Sequence, residues 1–205
     1  MIHALRRTAA ALVLAAATPF VSVAGWAADH PAQEIVVEST MAMLDVLKNE
    51  SDRIAEEPGY LDAKVEEIIV PNLDFDTMTK LAVGKFWRQA DATQKTELVT
   101  EFKTLLLNTY TSAMTEYSGG TIDFEPFRPE SREDRAVVRS EFDQSGGQNV
   151  PVTYKLRDKD GWSIYDIEVD SLSLVTSYRT AFASEIRKGG IAGLLDTLKE
   201  RNAKS

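Results

Sequence analysis

Between Thr121 and Val169 apolar and polar residues alternate along the chain, and on both sides of that stretch apolar residues recur every three or four positions. A period of two marks strands with one buried face. A period near 3.6 marks amphipathic helices. The pattern predicts a helix over 34–56, carried by Val37, Met41, Leu44, Leu47 and Ile54. A second begins near Pro58, shows Leu61, Val65, Ile68 and Ile69 on one face, and stops at Pro71. A third, capped by Asp76, turns Met78, Leu81, Ala82 and Phe86 inward and holds Gly84 at its middle, where glycine marks a close approach by another element.

Asp91-Ala92-Thr93-Gln94 has the form of a capping box. The long helix behind it runs through Leu98, Phe102, Leu105, Leu106, Tyr110, Ala113 and Tyr117 to Gly119-Gly120. At 1.5 Å per residue it would reach about 40 Å, enough to cross a small sheet. Four strands follow, over 121–128, 135–143, 149–157 and 162–169. Their inward residues are Ile122 and Phe124, then Ala136, Val138, Ser140 and Phe142, then Val150, Val152, Tyr154 and Leu156, then Tyr165, Ile167 and Val169. Gly146-Gly147 and Asp158–Gly161 read as hairpin turns, so neighbouring strands are antiparallel. A helix over 174–188 returns across the sheet, Gly189-Gly190 breaks it, and Ile191, Leu194, Leu195 and Leu198 face a final helix. The prediction is an α+β domain. Its four-stranded antiparallel meander sheet is packed on one face by several helices, and the tyrosine-rich space between them is either an ordinary core or an enclosed apolar cavity.

Composition narrows the chemistry. Residues 1–27 pair a basic start, Arg6-Arg7, with the apolar run Ala9–Ala17 and small residues ending at Ala27. That is the pattern of a cleaved secretory signal peptide, and its apolar run is short of the ~20 residues that span a bilayer. Export would leave a single domain over 28–205. Removing Arg6 and Arg7 from 23 basic residues leaves 21 against 32 acidic ones, a net charge of −11. This disfavours nucleic acid as a partner. The chain has no cysteine, hence no disulfide, thiol nucleophile or acylated cysteine anchor. His3 falls in the leader and His30 close to the expected mature N-terminus, where order is usually poor. The expected folded body is therefore without histidine, which removes Ser-His-Asp catalysis and histidine-bound zinc. No glycine pair has phosphate-loop or dinucleotide spacing.

Two charged constellations stand out. Asp166 lies in an apolar strand, with Arg179 in the next helix, and the two are expected to form an ion pair pinning helix to sheet. The alternative is an enzyme in which Asp166 serves as general base in an apolar cavity. Arg128, Arg132, Arg135 and Arg139 gather in one hairpin of an acidic protein, either as a solvated face beside Glu130, Glu133 and Asp134 or as a docking patch. A patch of that kind would also suit an adaptor with a solid core.

Two distant segments carry a resemblance. Residues 70–117 contain, in order, Pro71, Asp74, Phe75, Gly84, Trp87, Arg88, Gln94, Phe102, Leu105, Leu106 and Tyr110. The second segment has Trp162, Tyr165, Asp166, Ser173, Leu174, Tyr178, Arg179 and Phe182. Both sets resemble the MlaC family of periplasmic phospholipid-binding proteins, with Ser171 standing where that family often has glycine. The resemblance implies a soluble periplasmic shuttle. It would carry phospholipid between an outer-membrane lipoprotein–porin complex and an inner-membrane MCE-domain protein of an ABC transporter. Burying an acyl methylene gains ~0.8 kcal/mol, so a diacyl lipid with ~30 of them gains roughly 20 kcal/mol from leaving water. A carrier thus needs a deep apolar cavity, with no nucleophile or metal. The lining expected on this reading comprises Phe102, Leu106 and Tyr110 from the long helix and Phe124, Val138, Val152 and Tyr154 from the first three strands. Trp162, Tyr165 and Ile167 come from the fourth strand, and Leu174, Val175, Tyr178 and Phe182 from the helix that follows.

Overall fold

The computed structural model describes residues 30–115, 120–143 and 149–204. The expected leader, Tyr117, Gly119 and the Gly146-Gly147 turn lie outside the described residues.

The first described element is α1 (Pro31–Asn49), and His30 caps it. The His30 Nδ1 accepts the Ala32 N–H at 3.1 Å, while Pro31 occupies the first turn, where its missing N–H costs nothing. The His30 ring stacks on Phe127 at 4.2 Å and meets Trp162 edge-on at 5.1 Å. The folded body therefore does contain a histidine, contrary to the expectation from chain position. Aromatic packing and the cap hold it in place.

The single helix expected over 34–56 is two. Glu50 leaves helical geometry between α1 and α2 (Ser51–Glu56), its carboxylate taken by the Tyr60 hydroxyl. Helix α3 (Tyr60–Ile68) starts at Gly59, whose φ of 82° suits glycine. A 3₁₀ turn, Val70–Asn72, contains Pro71. The cap of α4 (Phe75–Val83) is Asp74 and not Asp76: its carboxylate accepts the Thr77 N–H at 2.9 Å and the Thr77 hydroxyl at 2.6 Å. Gly84 ends this helix at φ 62°, and a 3₁₀ segment, Gly84–Gln89, leads to α5 (Ala92–Met114). The capping box at the start of α5 forms as expected, with Asp91 and Gln94 exchanging bonds of 2.8 and 3.1 Å.

Among the described residues the sheet has five strands in sequential order, all antiparallel: β1 (Thr121–Phe124), β2 (Arg135–Asp143), β3 (Val150–Asp158), β4 (Trp162–Val169) and β5 (Leu172–Ser173). The two-residue β5 is too short to leave an alternation signal. It is joined to β4 by Asp170 and Ser171 at φ 48° and 67°. A register shift next to Lys155 and Leu156 leaves Tyr165 unpaired as a β-bulge. The bulge puts Ile164 on the inner face. Tyr165 instead packs beneath the Arg135 guanidinium, 5.1 Å from its ring centre. A 3₁₀ turn, Thr176–Tyr178, then enters α6 (Arg179–Asn202), which kinks at Gly190.

Three apolar clusters organise the interior. Helices α4, α5 and α6 share one, centred on Leu98, Phe102, Phe182, Leu194 and Leu198. A second joins the start of α1 (Ala32, Val36) to Phe124, Ala136, Val138, Leu156 and Ile164 on the sheet. The third joins the end of α1 (Met43, Leu44, Leu47) to α3 and Phe142. The outer face of the sheet carries charged and partly exposed side chains such as Arg139, Lys155 and Glu168.

Candidate functional site

Where the three clusters meet, the packing opens into a cavity of about 420 Å³. That falls within the roughly 300–1,000 Å³ typical of ligand pockets. One wall is the middle of α1: Ser39, Thr40, Met43, Leu44 and Leu47. The opposite wall is the inner face of the sheet, from Ile122 and Phe142 through Val150, Val152 and Tyr154 to Ile164, Ile167 and Val169. Ile69, Leu73, the end of α5 (Tyr110, Ala113, Met114) and Leu174 complete it. Period-two burial explains the sheet wall, since residues at alternate positions of β3 share one face.

The polar atoms of this lining are few and placed at its walls. Burial pushes the Tyr154 hydroxyl up, against hydrogen bonds from Thr40 and Ser140. These hydroxyls tie α1 to β2 and β3 across the apolar interior. Ser39 returns its hydroxyl to the Ile35 carbonyl at 2.6 Å. Tyr110 is hydrogen-bonded to Tyr178, and burial with this neighbour pushes its hydroxyl up to about 12. Among the described residues no carboxylate or amine lines the cavity.

Of the expected lining residues, Tyr110, Val152, Tyr154, Ile167 and Leu174 do face it. Phe102, Leu106, Val175, Tyr178 and Phe182 are built into or against the helical cluster. Phe124, Val138 and Trp162 belong to the cluster at the start of α1, and Tyr165 lies outside beneath Arg135. The α1 wall was absent from the expected set. Its signal was present in the apolar positions Leu44 and Leu47, but period alone does not say which helix covers which part of a sheet.

Asp166 and Arg179 do not pair. The Asp166 carboxylate accepts the Ser173 hydroxyl at 2.6 Å and lies 3.5 Å from Lys155, which also engages Glu168. Ser173 in turn accepts the Thr176 N–H at 2.9 Å, so the buried Asp166 fixes the short link that places Leu174 in the wall. It is not among the described lining residues of the cavity. The Arg179 guanidinium donates twice to the Leu81 carbonyl, at 3.0 and 2.9 Å, satisfying a carbonyl near the end of α4. A Cβ at position 84 would lie 3.7 Å from this guanidinium, an ordinary contact, so it is the positive φ at the helix end and not a close approach that calls for glycine there.

The four arginines divide. Arg132 forms a two-pronged pair with Asp134 at 2.9 and 2.7 Å, and Arg135 lies 3.7 Å from the same carboxylate. Arg128 and Arg139 have no ion pair among the described residues. Among the described residues no cluster of metal-ligating side chains occurs, and no helix is long and apolar enough to cross a membrane.

Comparison with known proteins gives a family model, "MlaC protein", that matches residues 38–200. The chain is 28% identical over 192 residues to the toluene tolerance protein ttg2D of Pseudomonas putida, covering 93% of this chain and 86% of that protein. It is 22% identical over 160 residues to the intermembrane phospholipid transport system binding protein MlaC of Haemophilus influenzae, covering 76% and 74%. Among solved structures, a phospholipid-binding protein from Ralstonia solanacearum in complex with a phospholipid superposes with a TM-score of 0.77. It is 33% identical, and the match covers 85% of this chain and 98% of that one.

Proposed function

Because the chain belongs to the MlaC family, we propose that it binds phospholipid in the cavity between α1 and the sheet and carries it through the periplasm. The observation that carries this reading is the cavity itself: its described lining is predominantly apolar, and its hydroxyls are held by protein partners. Such a lining rewards acyl chain. A related chain of the same fold, 33% identical, was solved with a phospholipid bound. The headgroup would stay at the cavity mouth in water, so selection would act on the tails.

On the family resemblance, the partners are an inner-membrane MCE-domain protein of an ABC transporter and an outer-membrane lipoprotein–porin complex. Arg128 and Arg139, the members of the arginine cluster without an ion pair among the described residues, are the ones available to dock on an acidic partner. The 1–27 leader would deliver the chain to the periplasm and be removed there.

Organic extraction of gently purified protein, followed by mass spectrometry, tests the central statement. Phospholipid near one molecule per chain is expected. Its absence, together with failure to load from phospholipid vesicles, would overturn the reading. Val152→Trp, which fills the cavity from its sheet wall, is expected to lower lipid occupancy more than it lowers stability.

A further inference from the structure

Two lining residues of the cavity, Leu73 and Tyr110, also pack against the helical cluster and so separate the two spaces. Leu73 is fixed by backbone: it bridges Ile164 in parallel register, and the Asp74 N–H donates to the Ile164 carbonyl at 2.8 Å. Tyr110 presents a side chain, and its hydroxyl is bonded to Tyr178. The Tyr178 ring stands edge-on to Phe102 at 5.3 Å and 5.5 Å from Phe182, while Phe102 and Phe182 are themselves edge-on at 5.2 Å. Phe102 and Phe182 are fully packed. Tyr110 is therefore a partition packed on the helical cluster and held at its hydroxyl by Tyr178, whose ring is in turn fixed against Phe102 and Phe182.

We propose that Tyr110 is the stop that sets how long an acyl chain the cavity accepts. Tyr178, Phe102 and Phe182 act behind it as positioning residues that touch no ligand. This inference rests on the reading of the cavity as a phospholipid site. Its physical basis is the contrast between the two lining residues that meet the helical cluster: Leu73 is held by backbone pairing to β4, whereas at Tyr110 a side chain separates the cavity from the cluster.

The full chain is incubated with vesicles holding an equimolar series of saturated diacyl phosphatidylglycerols that differ only in chain length. The protein is then re-isolated and its lipid is read by mass spectrometry. The wild-type chain is expected to show a sharp upper limit in bound chain length. Tyr110→Ala raises that limit, and each methylene that it shelters and wild type would leave in water shifts the bound ratio toward the longer lipid roughly fourfold relative to wild type. Tyr110→Trp lowers the limit, and Tyr110→Phe, which keeps the ring, leaves it in place. Should Tyr110→Ala fail to fold, Tyr110→Leu gives the same upward shift in smaller measure. Identical length distributions in wild type and in the folded Leu and Trp variants would overturn the proposal while leaving phospholipid binding intact. A wild-type chain that takes up no phospholipid would instead overturn the reading on which it rests.

Discussion

Replacing Ser171 by glycine is expected to stabilise the protein. Asp170 and Ser171 form the two-residue link between β4 and β5, and both have positive φ, 48° and 67°. Hairpins of this length demand that conformation because its twist matches that of the strands. For an L-residue the left-handed region costs about 1–2 kcal/mol, less for aspartate, whose short side chain supports it locally. Ser171 is exposed and makes no side-chain hydrogen bond among the described residues, so nothing there offsets the strain. Glycine relieves it but gives back about 0.4–1 kcal/mol through the greater freedom of the unfolded chain. The balance is a gain of about 0.5–1 kcal/mol. For a domain of this size it corresponds to a rise of about 1–4 °C in Tm. Thermal unfolding followed by circular dichroism measures it. Asp170→Gly should gain less, because aspartate already tolerates the region. A Tm for Ser171→Gly at or below that of the parent chain, or a larger gain from Asp170→Gly, would refute the assignment of strain to residue 171.

Three further outcomes follow from the geometry. Asp166→Asn weakens a charged bond to Ser173 worth about 1.5–3 kcal/mol, so it should lower Tm, while lipid still co-purifies; loss of bound lipid at unchanged Tm would contradict the structural role. At Asp74 burial favours the neutral acid, but the Thr77 hydroxyl, the Thr77 N–H and Arg157 at 2.8 Å outweigh it and hold the carboxyl below its usual range. The stability this supplies is present above the ordinary aspartate value of about 3.9 and is lost as pH falls through the lower folded value; Asp74→Ala should therefore destabilise the protein at neutral pH by about 2 kcal/mol and flatten its acid limb in pH-dependent denaturation. With Tyr110 pushed up to about 12, stability should fall as pH rises from about 10, where the unfolded tyrosine ionises, toward that value, and Tyr110→Phe should lessen the fall.

Most of the fold was legible because its elements carry their own signals. Strands β2 and β4 have the bounds that alternation predicts, and the capping box of α5 forms on the residues that spell it. Local signals failed where a tertiary partner decides. Glu50 breaks the first helix in favour of Tyr60, and Asp74 displaces Asp76 as a cap while standing beside Arg157. The bulge at Tyr165 reverses the facing of two residues that strict alternation had placed the other way. The cavity was legible in kind but not in place. Phe102, Tyr178 and Phe182 are large and apolar, as lining residues are, but sequence cannot separate a side chain that faces a void from one packed behind its wall. Asp166 and Arg179 likewise share one short segment, yet each is claimed by a nearer partner: Ser173 for the carboxylate, the Leu81 carbonyl for the guanidinium.

The separation of the interior into three clusters with a cavity at their junction has a consequence for engineering. Leu98, Leu194 and Leu198 are shut inside the helical cluster, whereas Val152, Ile167 and Leu174 stand in the cavity wall. The scaffold can therefore be held constant while the wall is redrawn, and the lining becomes a set of exchangeable positions. A library confined to Met43, Val152, Ile167 and Leu174 would sample new apolar cargoes, from sterols to dyes, on a chassis whose helical half needs no redesign.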